Sequence, residues 1–346
     1  MSCGQAVRQP LESMVHPPPL FDLLDALAGF AHPKAAQNLS AAVHCVVDGH
    51  GFLVLASDEG SELAFVPVDE AGLHRAPGPT RMGDLRAALG TAEGMGRLAR
   101  DGEIDVEGLA GVPGGLFVVG SSSLKRKRVR AQDEATGRAA VLERLERIER
   151  ASGGDQRHSE LGMVVQVRLK GDGVALSVVQ LCHLRPLLLR HPLLRPFSKV
   201  PSKDNGLDIE GAAWLDGHVW LGLRGPVLRG WALLARLSHD LDEVELFPVA
   251  LNGFGIRSLD GGRWENGPEG LFIVSGPTLT HPGPYTLWHW VVPTDGALGQ
   301  ATVVRELGHD SDRPGKVETV LHRHDRALTL VDGVDGGAPA VVVPGY

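Results

Sequence analysis

The sequence predicts an all-β fold, a six-bladed β-propeller carrying a short amphipathic helical insertion, and three observations predict it. An acidic phrase recurs, Asp105-Val-Glu107-Gly108, Asp208-Ile-Glu210-Gly211, Pro268-Glu269-Gly270 and Lys316-Val-Glu318-Thr319, and each copy opens an apolar, strand-like run. The 45 Gly and 23 Pro are spread along the 346 residues, as punctuation for many short strands rather than one disordered tract. Strand–turn–strand patterns follow the phrases at intervals of roughly 50 residues, the repeat length of four-stranded propeller blades.

Residues 1–37 form a tail that begins without apolar periodicity, passes Pro17-Pro18-Pro19 and ends on Leu20-Phe-Asp-Leu-Leu-Asp-Ala-Leu27. The propeller is expected over residues 38–346. It opens with Leu39–Val47, a turn at Asp48-Gly49, Phe52–Ala56, a turn at Ser57-Asp58-Glu59-Gly60 and Glu62–Val66. Asp58 and Glu59 read here as turn formers. The interval between Glu107 and Glu210 is about twice the others, which places a unit without the phrase at Glu160–Leu169 and Val174–Val179. Units near residues 40, 107, 160, 210, 269 and 318 make six. The last is short, so a segment near residues 21–36 is expected to complete or clasp the final blade and remove its open edge.

Two stretches break the pattern. Residues 137–151 place Val141, Leu142, Leu145 and Ile148 on one side of a helix with alternating Glu and Arg opposite. Residues 184–202 string together four prolines and three arginines, as expected of a long ordered loop before the next blade.

Composition narrows the function. A formal charge of −8 argues against a general nucleic-acid surface, and no stretch approaches the roughly 20 apolar residues of a membrane span. With no leader pattern at Met1, a cytoplasmic location is expected. Cys3, Cys45 and Cys182 are an odd, widely spaced set that suits neither a disulfide framework nor a structural zinc site. His322-Arg-His324 puts two imidazoles on one strand face without an evident third ligand. Serine-hydrolase elbows, phosphate-binding glycine loops and dinucleotide fingerprints are missing from the sequence. The basic run Lys125-Arg126-Lys127-Arg128 in an acidic protein reads first as a solvated loop.

In a propeller the starts of the inner strands form a ring at one mouth of the central channel. Glu107, Glu210, Glu269 and Glu318 are therefore expected to converge. Converging carboxylates raise one another's pKa unless a cation or a set of donors compensates. One solution is a hard divalent ion, Ca2+ or Mg2+, held by the four glutamates. Such a site would support metal-assisted hydrolysis of a small phosphoester, ester or lactone, with Glu210, Arg224 and Arg257 as catalytic residues. Asp105, Asp208, Arg229, Ser121 and Ser123 would contact a small anionic ligand. The alternative is a non-catalytic scaffold for a protein partner, in which the glutamates lock the blades together through backbone donors or arginines.

The phrases Asp208–Trp231, Gly255-Ile-Arg-Ser-Leu259, Asp105–Leu109 and Gly120-Ser-Ser-Ser123 resemble a bacterial family built on domain of unknown function 3616, expected to be a β-propeller. The match covers about residues 38–346. The resemblance implies a His where this chain has Ser122 and an Asp where it has Ser258. More distantly, the Asp-x-Glu-Gly phrase is similar to phrases of esterase-like or phytase-like propellers and of gluconolactonase and regucalcin propellers. In the last of these a blade-opening Glu ligates a divalent ion.

Overall fold

A computed structural model describes residues 38–69, 75–92, 104–150, 158–263, 267–279, 283–294, 296–309, 316–323, 326–332 and 340–343, together with Phe30 and Ala35. The first blade is a meander of β1 (Leu39–Val47), β2 (His50–Ser57), β3 (Glu62–Pro67) and β4 (Arg81–Asp84). Its turn at Asp48-Gly49 places both residues at positive φ, where Asp and Gly are tolerated. Asp84 caps the helix that follows, α1 (Leu85–Thr91), by accepting a hydrogen bond from the Arg86 amide at 2.8 Å.

The second blade is split. Strands β5 (Val106–Val112) and β6 (Gly115–Gly120) are followed by an insertion of β7 (Leu124–Arg126), α2 (Ala131–Thr136), α3 (Arg138–Glu146) and β8 (Ile148–Arg150). The chain then returns as β9 (Leu161–Lys170) and β10 (Gly173–His183), with β9 paired antiparallel to β6 in the register Gly115↔Gln166 to Val119↔Gly162. The stretch expected to be an independent unit near Glu160 is thus the outer half of this blade. Glu160 itself ends a buried single turn, His158–Glu160.

After α4 (Leu184–Leu188), the third blade runs β11 (Asp208–Leu215), β12 (His218–Leu228), β13 (Trp231–Leu237) and β14 (Val244–Ala250). The fourth runs β15 (Gly255–Arg263), β16 (Glu269–Gly276), β17 (Pro284–Trp290) and β18 (Ala301–His309). A last sheet holds β19 (Lys316–Arg323), β20 (Arg326–Asp332) and β21 (Ala340–Val343). The fold is therefore all-β with a propeller arrangement, but with four four-stranded blades and a fifth sheet of three described strands instead of six blades.

The innermost strands β1, β5, β11, β15 and β19 pack each on the next, and β19 packs back on β1. Five apolar clusters fill the five interfaces between consecutive sheets. The closing one joins Leu321 and Leu330 to Leu39, Leu53 and Leu55, with Phe30 against it. The core thus lies between blades, as it must when each sheet buries both faces against neighbours. Apart from Phe30 and Ala35, the expected clasp at residues 21–36 lies outside the described residues.

The expected single helix over 137–151 is a shorter helix, α3 (Arg138–Glu146), followed by strand β8 (Ile148–Arg150). Gly137, at φ 108, divides it from the preceding α2 and marks its start. None of its residues is buried, and Leu142 and Leu145 stay exposed. Cys45 is buried and Cys182 half-buried, and burial pushes both thiols up to about 12, as for small core side chains. No helix among the described residues is long and apolar enough to cross a membrane.

Candidate metal centre at the channel mouth

All five inner strands carry a β-bulge at the same level. The register slips between Leu39 and Ala41, Val106 and Gly108, Ile209 and Gly211, Ile256 and Ser258, and Val317 and Thr319. The extra residues are Ser40, Glu107, Glu210, Arg257 and Glu318. A bulge takes its extra residue out of the ladder and re-aims the side chain. Here all five line one cavity of about 740 Å3 at the end of the channel.

The glycine of the recurring phrase has a separate cause. A Cβ on Gly108 would lie 2.8 Å from the Ala212 amide nitrogen, and one on Gly211 would lie 2.8 Å from that of Leu259. Glutamate supplies the aimed carboxylate, and glycine lets the next inner strand approach.

The ring residues fall into two halves. In one, every carboxylate is paired. Arg224 on β12 binds Asp208 and, at 2.5 Å, Glu210. Arg257 binds Glu210 Oε2 at 2.7 Å and pairs with Glu318, so one guanidinium links three blades. Burial alone would weaken both guanidinium charges, yet these carboxylates hold Arg224 and Arg257 above their ordinary pKa. Burial pushes Asp208 up to about 7 against the pull of Arg224, and it raises Glu210 against the pull of both arginines.

The other half is acid-rich. Asp58 from the turn after β2, Asp105 just before β5, and Glu107 each offer a carboxylate oxygen, all within 4.8 Å of one another. Asp105 is buried. It accepts a hydrogen bond from Ser121 Oγ and faces Lys125 Nζ at 3.3 Å. Ser121 Oγ also lies 3.0 Å from Ser123 Oγ. Burial, then Glu210, Asp105 and Asp58, hold the Glu107 carboxyl well above the usual carboxylate range. Three oxygens this close match the donor set of a hard divalent ion that completes its shell with water or ligand oxygens.

The residues expected from sequence are thus only partly brought together. Glu107, Glu210 and Glu318 share the cavity, with Asp208, Arg224, Arg257 and Ser123 on its wall and Asp105 and Ser121 beneath. Glu269 does not join them. It is exposed at the start of β16, a second strand, and pairs with Arg263 at 3.2 Å, while Arg257 holds its place in the ring. Arg229 sits at an exposed turn with φ 50, and it does not line the cavity. His322 stacks on Phe272 at 3.9 Å between ring centroids, and His324 lies outside the described residues.

Two contributors were missed. Asp58 carried only a turn signal. The basic run Lys125–Arg128 is only partly the solvated loop expected: Lys127 and Arg128 follow the strand, and Lys125 and Arg128 are exposed. It begins on β7, Arg126 pairs with Asp204 at 2.6 Å, and all four residues line the cavity.

No curated protein matches the sequence. Among solved structures, a Trypanosoma rangeli sialidase in complex with 2,3-difluorosialic acid, described as a covalent intermediate, is similar at 13% identity with a TM-score of 0.39. The similarity covers 89% of this chain and 54% of that one, so the chain spans about half its length. The distant resemblances to esterase-like, phytase-like, gluconolactonase and regucalcin propellers gain no support from these comparisons. The family described as protein of unknown function DUF3616 matches residues 38–308, more than half of the chain. With those residues forming the blades and most of the channel mouth, the chain belongs to the DUF3616 family.

Proposed function

We propose that the channel mouth binds a hard divalent cation, Ca2+ or Mg2+, at Asp58, Asp105 and Glu107, and that the cation serves metal-assisted hydrolysis of a small phosphoester, ester or lactone. The observation that carries this reading is the approach of those three carboxylates to within 4.8 Å of one another, with Asp58 and Glu107 lining the cavity and Asp105 buried behind them. Bringing such groups together is costly unless a cation compensates them. A bound ion would polarise the ligand's oxygen and acidify a water, which adds to the phosphoryl or acyl centre as the ester bond breaks. Glu107 would take the water's proton and return it to the departing oxygen. Glu210, Arg224 and Arg257 form the fixed wall beside it, with the two guanidiniums facing charge that develops on the ligand.

A second reading, a non-catalytic scaffold for a protein partner, is favoured by Arg257. Its bridge from Glu210 to Glu318 is a blade lock that requires no ligand. Calorimetric titration of chelator-treated protein with calcium and magnesium, followed by a panel of phosphoesters, esters and lactones, separates the two. The enzyme reading expects binding that Glu107→Gln weakens and metal-dependent turnover that the same variant loses. Binding without turnover across the panel supports the scaffold, and no binding removes the metal.

A further inference from the structure

The cavity has a second chemical character above the acidic floor. Lys203 sits in the turn Ser202–Asp204, Lys316 opens β19, and Arg128 follows β7, so three separate segments each bring a cation to the lining of the same cavity. The other cations of the cavity are taken: Lys125 by Asp105, Arg126 by Asp204, Lys127 by Glu149, and Arg224 and Arg257 by the ring carboxylates. Among the described residues, Lys203, Lys316 and Arg128 have no carboxylate within ion-pairing distance.

We propose that Lys203, Lys316 and Arg128 form a phosphate-binding rim, and that the cavity's ligand is a phosphomonoester whose dianionic head bridges this rim and a cation on the acidic floor. The inference rests on the reading of the cavity given above. Several cations directed at one space from different elements repel one another unless an anion joins them. Desolvation, then the positive charge of Lys316 and of Arg224, lowers the Lys203 ammonium from its ordinary pKa, as expected of cations crowded without an anion. A phosphomonoester carries up to two charges and three acceptor oxygens, enough to meet separated donors at once, whereas a carboxylate offers two oxygens and one charge. A neutral ester or lactone would leave the rim uncompensated. The carboxylates below repel a phosphate until a cation covers them, so metal and phosphate should each strengthen the other's binding.

The test is calorimetry on the full chain with inorganic phosphate, first chelator-treated and then with Mg2+, against acetate at the same ionic strength. Phosphate is expected to bind, more tightly with Mg2+ present, and acetate to bind more weakly. The double substitution Lys203→Ala with Lys316→Ala, both at exposed positions, should weaken phosphate about tenfold while leaving the melting temperature and the Mg2+ affinity unchanged. Arg128→Ala should act in the same direction. Phosphate that fails to bind, binds no better than acetate, or binds the double variant as it binds the parent overturns the proposal, even when Mg2+ binds. If Mg2+ fails to bind while the lysine variant still loses phosphate, the rim stands and the metal reading falls.

Discussion

Arg257 stands in β15 at the bulge position that Glu210 holds in β11, and its guanidinium meets Glu210 Oε2 at 2.7 Å. The ring at the channel mouth is therefore not a uniform set of repelling carboxylates. One blade contributes the counter-charge. That exchange pairs Glu210 and Glu318 with a guanidinium, while Glu107 lies on the other side, where Asp58 and Asp105 approach it and Lys125 faces Asp105.

Glu210 and Glu107, alike in sequence, should respond oppositely to loss of charge. Glu210→Gln leaves Arg224 and Arg257 each short of a buried partner and should destabilise the protein by on the order of 2 kcal/mol in denaturant unfolding. Glu107→Gln removes a carboxylate whose charged form is disfavoured by burial and by Glu210, Asp105 and Asp58, and should raise the melting temperature of the chelated protein by about 2 °C. A loss of stability in the second variant would mean that Glu107 is a structural acceptor.

The Glu107 effect should also depend on pH. Its folded-state pKa lies well above the ordinary carboxylate value, so the folded protein binds a proton that the unfolded chain has released. Stability from this group is present below the unfolded value and lost as pH rises through the folded one. Histidines such as His44, lowered to about 4 by burial, act oppositely as pH falls, and a single melting curve mixes the two. The difference between Glu107→Gln and its parent isolates the carboxyl. That difference should widen as pH rises above the ordinary carboxylate range without metal and shrink or change sign when Mg2+ is added.

Blade locking should extend beyond the Arg257 bridge. Ser258 Oγ accepts a hydrogen bond from the Val320 amide at 3.0 Å, and Asp260 accepts one from the His322 amide at 2.6 Å, both joining β15 to β19. Ser258→Ala should cost about 1–3 kcal/mol by leaving a buried amide without its acceptor. Ser258→Asp, the residue implied by the family resemblance, keeps an acceptor there and should cost less. Equal losses from the two substitutions would show that the contact is one of packing alone.

The close approach behind each Glu-Gly pair gives a further check. Gly211→Ala should fold poorly or lose about 3 kcal/mol or more, because its Cβ would press on the Leu259 backbone. Stability like that of the parent would show that the inner strands can separate to admit a methyl group.

The β character and the blade order were legible because alternating apolar runs and Gly-rich turns encode strands locally. The blade count was not. The insertion between Gly120 and Leu161 separates β6 from β9 by a stretch about as long as a blade, and only pairing in space shows that they share a sheet. Glu107, Glu210 and Glu318 were readable from the phrase, since the bulge recurs with it and a close-packed glycine follows the first two. Glu269 borrowed the phrase at a second strand, where the same letters make an exposed turn pair with Arg263. Asp58 gave no signal beyond its turn, because its role arises from a neighbouring blade that brings Asp105 and Glu107 beside it. Lys203, Lys316 and Arg128 come from three distant segments, and no sequence spacing could join them.

The most direct test of the central claim is anomalous diffraction from crystals grown after chelation and soaked in Mn2+, used as a substitute for Mg2+. The account predicts one strong peak at the channel mouth with oxygens of Asp58, Asp105 and Glu107 within about 2.0–2.6 Å, abolished in Glu107→Gln. A peak confined to other residues, or none at the mouth in the parent protein, would contradict it.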